Sequence, residues 1–86
     1  MVEIINRKRY DTATAIKIAE KDHYNNGNYS GTTYLMASKN GSLFKYRDTN
    51  GQDCHLQDEI WLDEEIDGFN IIDEELATRY NLIEEA

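Results

Sequence analysis

An Asn-Gly pair at residues 40–41 separates two short segments in which apolar and polar residues alternate. Residues 32–38 form the first segment and residues 43–47 the second. Alternation is typical of strands, because successive side chains of a strand point to opposite faces, and Asn-Gly favours the tight turn of a β-hairpin. A second Asn-Gly pair at residues 50–51 leads into a third alternating segment, residues 54–62. The sequence therefore predicts an antiparallel meander of three strands.

The residues before the meander predict a helix. Residues 13–23 carry apolar side chains at helical spacing, at Ala15, Ile16 and Ala19. Asp11, or the threonine after it, is a suitable N-cap, because its side-chain oxygen can accept a hydrogen bond from a free N–H of the first turn. We therefore expect an N-terminal helix over residues 13–23. Its small apolar side chains favour close packing on a sheet.

Further segments complete the predicted fold. Residues 2–5 and 8–10 predict a small hairpin or a bent strand, and residues 24–31 are polar and predict a loop. After the meander, residues 69–72 predict a short strand, and Asp73 is a strong N-cap for a C-terminal helix. Together these segments predict one α+β domain that spans the chain, with an antiparallel sheet of three to four strands and a helix at each end.

Charge is divided very unevenly along the chain. From residue 53 to residue 86 there are twelve acids and one base, Arg79, so this part carries −11. Residues 1–52 carry eight bases and five acids, hence +3. The acids lie in clumps, and clumped like charges repel one another unless water or a basic partner offsets the repulsion. The sequence therefore favours a protein partner with a basic surface.

Composition excludes several classes of protein. Six tyrosines, two phenylalanines and one tryptophan are too many aromatics for a disordered acidic tail. Cys54 is the only cysteine, so an intramolecular disulfide is impossible, which is typical of the reducing cytoplasm of a bacterial host cell. No apolar run approaches the ~20 residues that span a bilayer. We expect no contact with membrane and no direct binding of nucleic acid, since both are anionic.

No catalytic or metal-binding motif stands out in the sequence. Cys54 and His55 are adjacent, but neighbouring residues of a strand point to opposite faces and cannot share a proton or a metal. A calcium loop counted from Asp63 would place an isoleucine at its ninth position, which is a poor match. The sequence therefore predicts neither an enzyme nor a cofactor.

Aromatic residues near the polar and acidic segments are candidates for contacts with a partner. Tyr24 and Tyr29 lie in the polar segment and either pack over the edge of a thin core or belong to a contact surface. Trp61 lies between acidic clumps and either covers the sheet under a helix or anchors an interface. The acids themselves are either a solvated face or an imitation of the regular negative charge of DNA.

The first residues carry a resemblance. The stretch INRKRYDTATA at residues 5–15 resembles the opening INGKRYDTxTA of small proteins of phages, plasmids and other bacterial mobile elements. A strand pair like that of residues 34–41 and a closing Ile-Ile segment with an acidic helix are also similar, whereas Arg7 replaces the turn glycine. Some small acidic proteins of this kind are similar to anti-CRISPR proteins, which block an effector complex by occupying its DNA-binding surface.

The resemblance and the charge together favour one hypothesis. The protein is expected to be a non-enzymatic inhibitor of anti-CRISPR type, a DNA-mimic-like protein that binds a basic nucleic-acid-binding surface of a CRISPR-Cas effector subunit. The alternative is a generic acidic interaction module, antitoxin-like or regulatory. The predicted binding residues are the acids of the clumps and the tryptophan between them: Asp58, Glu59, Trp61, Asp63, Glu64, Glu65, Asp67, Glu74 and Glu75.

Overall fold

A computed structural model describes residues 1–49, 58–63 and 65–83 of the protein. Within these ranges the chain forms seven strands and one short helix, which are β1 Val2–Ile5, β2 Lys8–Asp11, β3 Ile16–Asn25, β4 Asn28–Ala37, β5 Leu43–Asp48, β6 Glu59–Trp61, β7 Asn70–Ile71 and α1 Glu74–Arg79. Five strands make one sheet in the order β6-β5-β4-β3-β7, and every neighbouring pair is antiparallel. Strands β1 and β2 form a separate hairpin.

Two of the predicted hairpins are confirmed, the one at residues 40–41 and the small one near the N-terminus. Ala37 pairs with Leu43 across the Asn-Gly turn at residues 40–41, so β4 and β5 form the predicted hairpin. The turn between β1 and β2 has positive φ at both Asn6 (52°) and Arg7 (66°). This is the left-handed backbone of a tight hairpin turn, which glycine adopts at lower cost than arginine does.

The predicted helix over residues 13–23 is wrong, because most of this segment belongs to β3. The register of β3 against β4 shifts between Lys17 and Ala19, where a β-bulge adds one residue to β3. As a result Ile18 and Ala19 both pack into the same core. Two adjacent buried residues break the alternation of a strand and imitate helical spacing. Asp11 does accept a backbone hydrogen bond, from Ala13 at 2.9 Å, but there it holds a turn before β3.

The predicted loop over residues 24–31 is also wrong. Strand β3 continues to Asn25 and β4 begins at Asn28, with a two-residue turn between them. Asn26 and Gly27 have φ of 53° and 80°, the left-handed pair that Asn-Gly supplies in tight hairpins. The α+β class is therefore corrected: the described chain is mostly β, with a five-stranded antiparallel sheet and no N-terminal helix.

The C-terminal elements agree better with the sequence. Asp73 caps α1 by accepting a 3.0 Å hydrogen bond from the N–H of Leu76, and β7 lies within the predicted strand over residues 69–72. Strand β6 covers the end of the predicted third meander strand. Its first part, residues 54–57, and the second Asn-Gly pair lie outside the described residues, as do Cys54 and His55.

The sheet has a core on each side. Leu35 of β4 packs on the side of α1, with Leu76 and Ala77 of that helix, and we call this side the helix face. Met36 of β4 packs on the opposite side, which we call the hairpin face. Its core also contains Phe44 and Ile60 of the sheet and Tyr10 of β2, and the rings of Tyr10 and Phe44 meet edge to face at 5.2 Å.

Candidate protein interaction site

Strand β6 brings the first predicted acids beside the basic end of β5. Glu59 pairs with Arg47 across the two strands, and its carboxylate lies 2.9 Å from the guanidinium. Asp58 accepts hydrogen bonds from the backbone N–H and the hydroxyl of Thr49, each 2.9 Å long. These two hydrogen bonds, the backbone one first, lower the pKa of Asp58. Both acids therefore have internal structural roles.

Lys45 holds a third predicted acid. Its side chain is 7% exposed. The ammonium nitrogen lies 4.9 Å from the centre of the Phe69 ring and 3.0 Å from the carboxylate of Asp63. Asp63 also accepts the N–H of Glu65, and this bond and the lysine lower its pKa. A buried ammonium needs an opposite charge, so Asp63 is required by the fold whatever it does for a partner.

Trp61 lies on the helix face, opposite Lys45 in the register of β5 and β6. It is partly buried, and the guanidinium of Arg47 lies 5.7 Å from its ring centre. Trp61 therefore packs along the sheet beside a cation, with part of its ring left at the surface.

The remaining described acids of the predicted site are exposed. In the part of the chain that the structure describes, the carboxylates of Glu65, Asp67, Glu74 and Glu75 form neither a hydrogen bond nor an ion pair. Glu74 and Glu75 lie in the first turn of α1, where the helix dipole favours negative charge. Glu64 lies outside the described residues. The predicted site thus divides into three internally bonded acids and four that face solvent.

A group of tyrosines on the hairpin face was missed as a unit by the sequence prediction. Tyr24 and Tyr29 pair across the β3–β4 hairpin with rings 6.1 Å apart, and Tyr34 stacks on Tyr46 at 6.3 Å. Tyr24 is 64% exposed and Tyr29 is 40% exposed. A partial signal was present in the alternation of residues 20, 22 and 24, which the predicted helix over residues 13–23 and the predicted loop over residues 24–31 concealed.

The helix face carries cations at the same end of the sheet. His23 Nε2 lies 2.5 Å from the hydroxyl oxygen of Thr33. Partial burial, and then the charges of Lys21 and Arg47, lower the pKa of His23. The two faces of this end of the sheet therefore differ in charge, with cations on the helix face and tyrosines on the hairpin face.

The comparisons with known proteins give no relative. No family model, no curated protein and no solved structure matches the chain. In the described ranges, the chain forms no helix that is long and apolar enough to cross a bilayer. The same ranges contain no group of three His, Cys, Asp or Glu side chains placed to hold a metal ion.

Proposed function

We propose that this protein is a non-enzymatic inhibitor that binds the basic nucleic-acid-binding surface of a partner protein. The observation that carries the proposal is a set of exposed carboxylates that have no counterion among the described residues: Glu65, Asp67, Glu74 and Glu75. We call this set the open acids. The resemblance of residues 5–15 to mobile-element proteins makes a CRISPR-Cas effector subunit the first partner to test.

The placement of the open acids supports a role in binding. Two of them project from α1, whose N-terminus is fixed by Asp73 and whose apolar side chains are buried. The other two lie in the connection between β6 and β7, which Asp63 ties to Lys45. Charges held at fixed positions lose little conformational entropy on binding, so such a surface can replace the phosphates of a nucleic acid.

The alternative is a generic acidic interaction module, antitoxin-like or regulatory, whose open acids are only solvated. It is favoured by the internal bonds of Asp58, Glu59 and Asp63, which show that part of the acid excess serves the fold. Under this alternative the partner contacts other residues, and reversing the charge of the open acids leaves binding intact.

A pull-down with charge-reversed variants separates the two proposals. The tagged protein is incubated with lysate of a bacterium that carries a CRISPR-Cas system, at low and high salt, and the bound proteins are identified. We expect to capture a DNA-binding protein at low salt and to lose it at high salt, because exposed charges are screened beyond about 8–10 Å at physiological ionic strength. Glu65→Lys combined with Asp67→Lys should abolish its capture, and the captured protein should lose DNA when the wild-type chain is added.

Glu3→Lys is the matched control. Glu3 is exposed on β1 of the hairpin. Replacing it by lysine changes the net charge by the same amount as each of the two substitutions in the open acids. Its capture of the partner should stay within about fivefold of wild type, since a single surface pair contributes at most ~1 kcal/mol, a factor of about five. Circular dichroism and urea unfolding check that all variants fold. Equal capture by the wild type and the Glu65→Lys, Asp67→Lys variant contradicts the proposal and supports the alternative.

A further inference from the structure

The hairpin face of the sheet beyond the β1–β2 hairpin forms a surface that the proposed function does not use. We call it the tyrosine face. Its members are aromatic rings from three adjacent strands together with the carboxylates that alternate with them on β3: Tyr24, Tyr29, Tyr34, Tyr46, Glu20 and Asp22. The register explains this grouping, because Glu20 pairs with Tyr34, and Tyr34 pairs with Tyr46.

Hydrogen bonds fix part of this surface. Asp22 accepts a 2.8 Å hydrogen bond from the hydroxyl of Thr32, and the hydroxyls of Thr32 and Tyr29 are also in contact. One oxygen of Asp22 therefore orients a chain of two hydroxyls that ends at an exposed ring. A ring held in this way presents its face to a ligand with little loss of freedom on binding.

The tyrosine face is also electronegative. Burial, and then Tyr29 followed by the carboxylates of Glu20, Asp48 and Asp22, raise the pKa of Tyr34. Burial, and then Asp48, Asp58 and Tyr34, raise the pKa of Tyr46. Such a face repels nucleic acid and anionic lipid, although its rings alone would suit stacking of bases. A cation is the complementary ligand.

The chain itself shows how this face receives a cation. Lys17, which precedes the bulge of β3, places its ammonium 4.2 Å from the centre of the Tyr34 ring. A cation over an aromatic face is attracted by the ring, and a carboxylate nearby adds a separate attraction between opposite charges. Guanidinium combines stacking on a ring with two parallel hydrogen bonds to a carboxylate, which ammonium cannot do.

We propose that the tyrosine face is a docking site for an arginine-bearing segment of a partner protein. The guanidinium groups stack on Tyr24 and Tyr29 and bond to Glu20 and Asp22. This inference is separate from the proposed function, because the open acids lie in the β6–β7 connection and on α1, the helix that packs against the helix face. Either surface can fail while the other holds.

An NMR titration with a short peptide of alternating arginine and glycine tests the proposal. At low salt we expect shifts in the amide signals of β3 and β4 around Tyr24 and Tyr29, and unchanged fluorescence of Trp61, which lies on the helix face. The corresponding lysine peptide should bind several-fold more weakly. Tyr24→Leu should weaken binding about two- to fivefold and Tyr24→Phe should not, because only the ring is needed. Glu20→Gln should weaken it by a similar factor, about two- to fivefold.

Glu3→Gln is the control, since it removes one negative charge from β1, outside both the tyrosine face and the open acids. It should leave the affinity of the arginine peptide unchanged. Tyr24 is mostly exposed, so its variants are expected to fold, and urea unfolding verifies this. The proposal is overturned if the peptide shifts no signals of β3 and β4, or if Glu3→Gln weakens binding as much as Glu20→Gln does. Binding of an oligothymidine at the same residues, abolished by Tyr24→Leu, would also overturn it in favour of a nucleic-acid site.

Discussion

Gly31 lies where β4 meets the end of β5, and its replacement by alanine tests the backbone geometry of the fold. Its φ is +150°, in a region that residues with a Cβ rarely adopt. A Cβ built on Gly31 would lie 2.9 Å from the carbonyl oxygen of Asp48 and 3.1 Å from Cα of Thr49. Both atoms belong to the backbone, so a flexible side chain cannot move aside. The neighbouring strand itself must shift.

Two costs add up in the Gly31→Ala variant. Holding alanine at this φ costs about 1–3 kcal/mol. Displacing the end of β5 to relieve the overlap costs a further 1–3 kcal/mol or so, the usual range for overpacking. We expect a loss of about 2–6 kcal/mol, a large part of the 5–15 kcal/mol or so that stabilises a typical domain. With a urea m-value of about 1 kcal/mol/M, the unfolding midpoint should fall by roughly 2 M or more.

Gly27→Ala is the matched control for this variant. Gly27 also has positive φ, +80°, but no atom lies within 4 Å of its added Cβ. Its substitution should cost only the left-handed backbone term of about 1–2 kcal/mol. Urea unfolding followed by the fluorescence of Trp61, the single tryptophan, measures both variants. Equal destabilisation by Gly31→Ala and Gly27→Ala would contradict a close contact between Gly31 and the backbone at the end of β5.

Four further predictions concern other parts of the molecule. The pKa of His23 is lowered by burial and nearby cations. The stability that neutral His23 contributes is therefore fully present above about pH 6.5 and is lost as the pH falls through the pKa of the folded state. His23→Gln should flatten the dependence of urea midpoints on pH in that window. Arg7→Gly should stabilise the protein by about 0.5–1 kcal/mol, because glycine relieves the positive φ of the turn at some entropic cost; a lower thermal midpoint would contradict this. Asp73→Ala should cost about 0.5–2 kcal/mol through loss of the cap of α1, whereas Asp73→Asn should retain most of it, in the same assay. Phe44→Ala should cost about 3–5 kcal/mol, since this ring is fully buried, and Phe44→Leu should cost clearly less by urea unfolding.

Features that depend on local sequence were predictable. The Asn-Gly turn at residues 40–41 and the Asp73 cap are each set by a few adjacent residues, and both are present. Strand β3 was missed because a bulge, which pairing with β4 stabilises, puts Ile18 and Ala19 on one face. The Asn-Gly pair at residues 26–27 also indicates a hairpin turn. The helical spacing of the residues before it favoured a helix followed by a loop instead.

The contacts of the candidate site likewise could not be predicted from local sequence. That Glu59 meets Arg47 and that Asp63 meets Lys45 follows from the register of β5 and β6, and the alternation of either strand alone leaves that register undetermined. Counting charge by sequence position therefore overstated the acidity available to a partner. The full tyrosine face likewise depends on the pairing of Tyr34 with Tyr46, which the alternation within one strand does not give.

In the folded chain, bases of the first part of the sequence lie beside acids of the second part. The basic first part supplies Lys45 and Arg47, which neutralise acids of the second part, so it does more than support an acidic tail. It also supplies Glu20 and Asp22, which make part of its own surface electronegative beside exposed tyrosines. Within the described residues, the open acids and the tyrosine face each carry carboxylates and lie on different elements. A basic partner that engages only one of them should lose affinity with salt less steeply than a partner that engages both, because the slope follows the number of ion contacts replaced on binding.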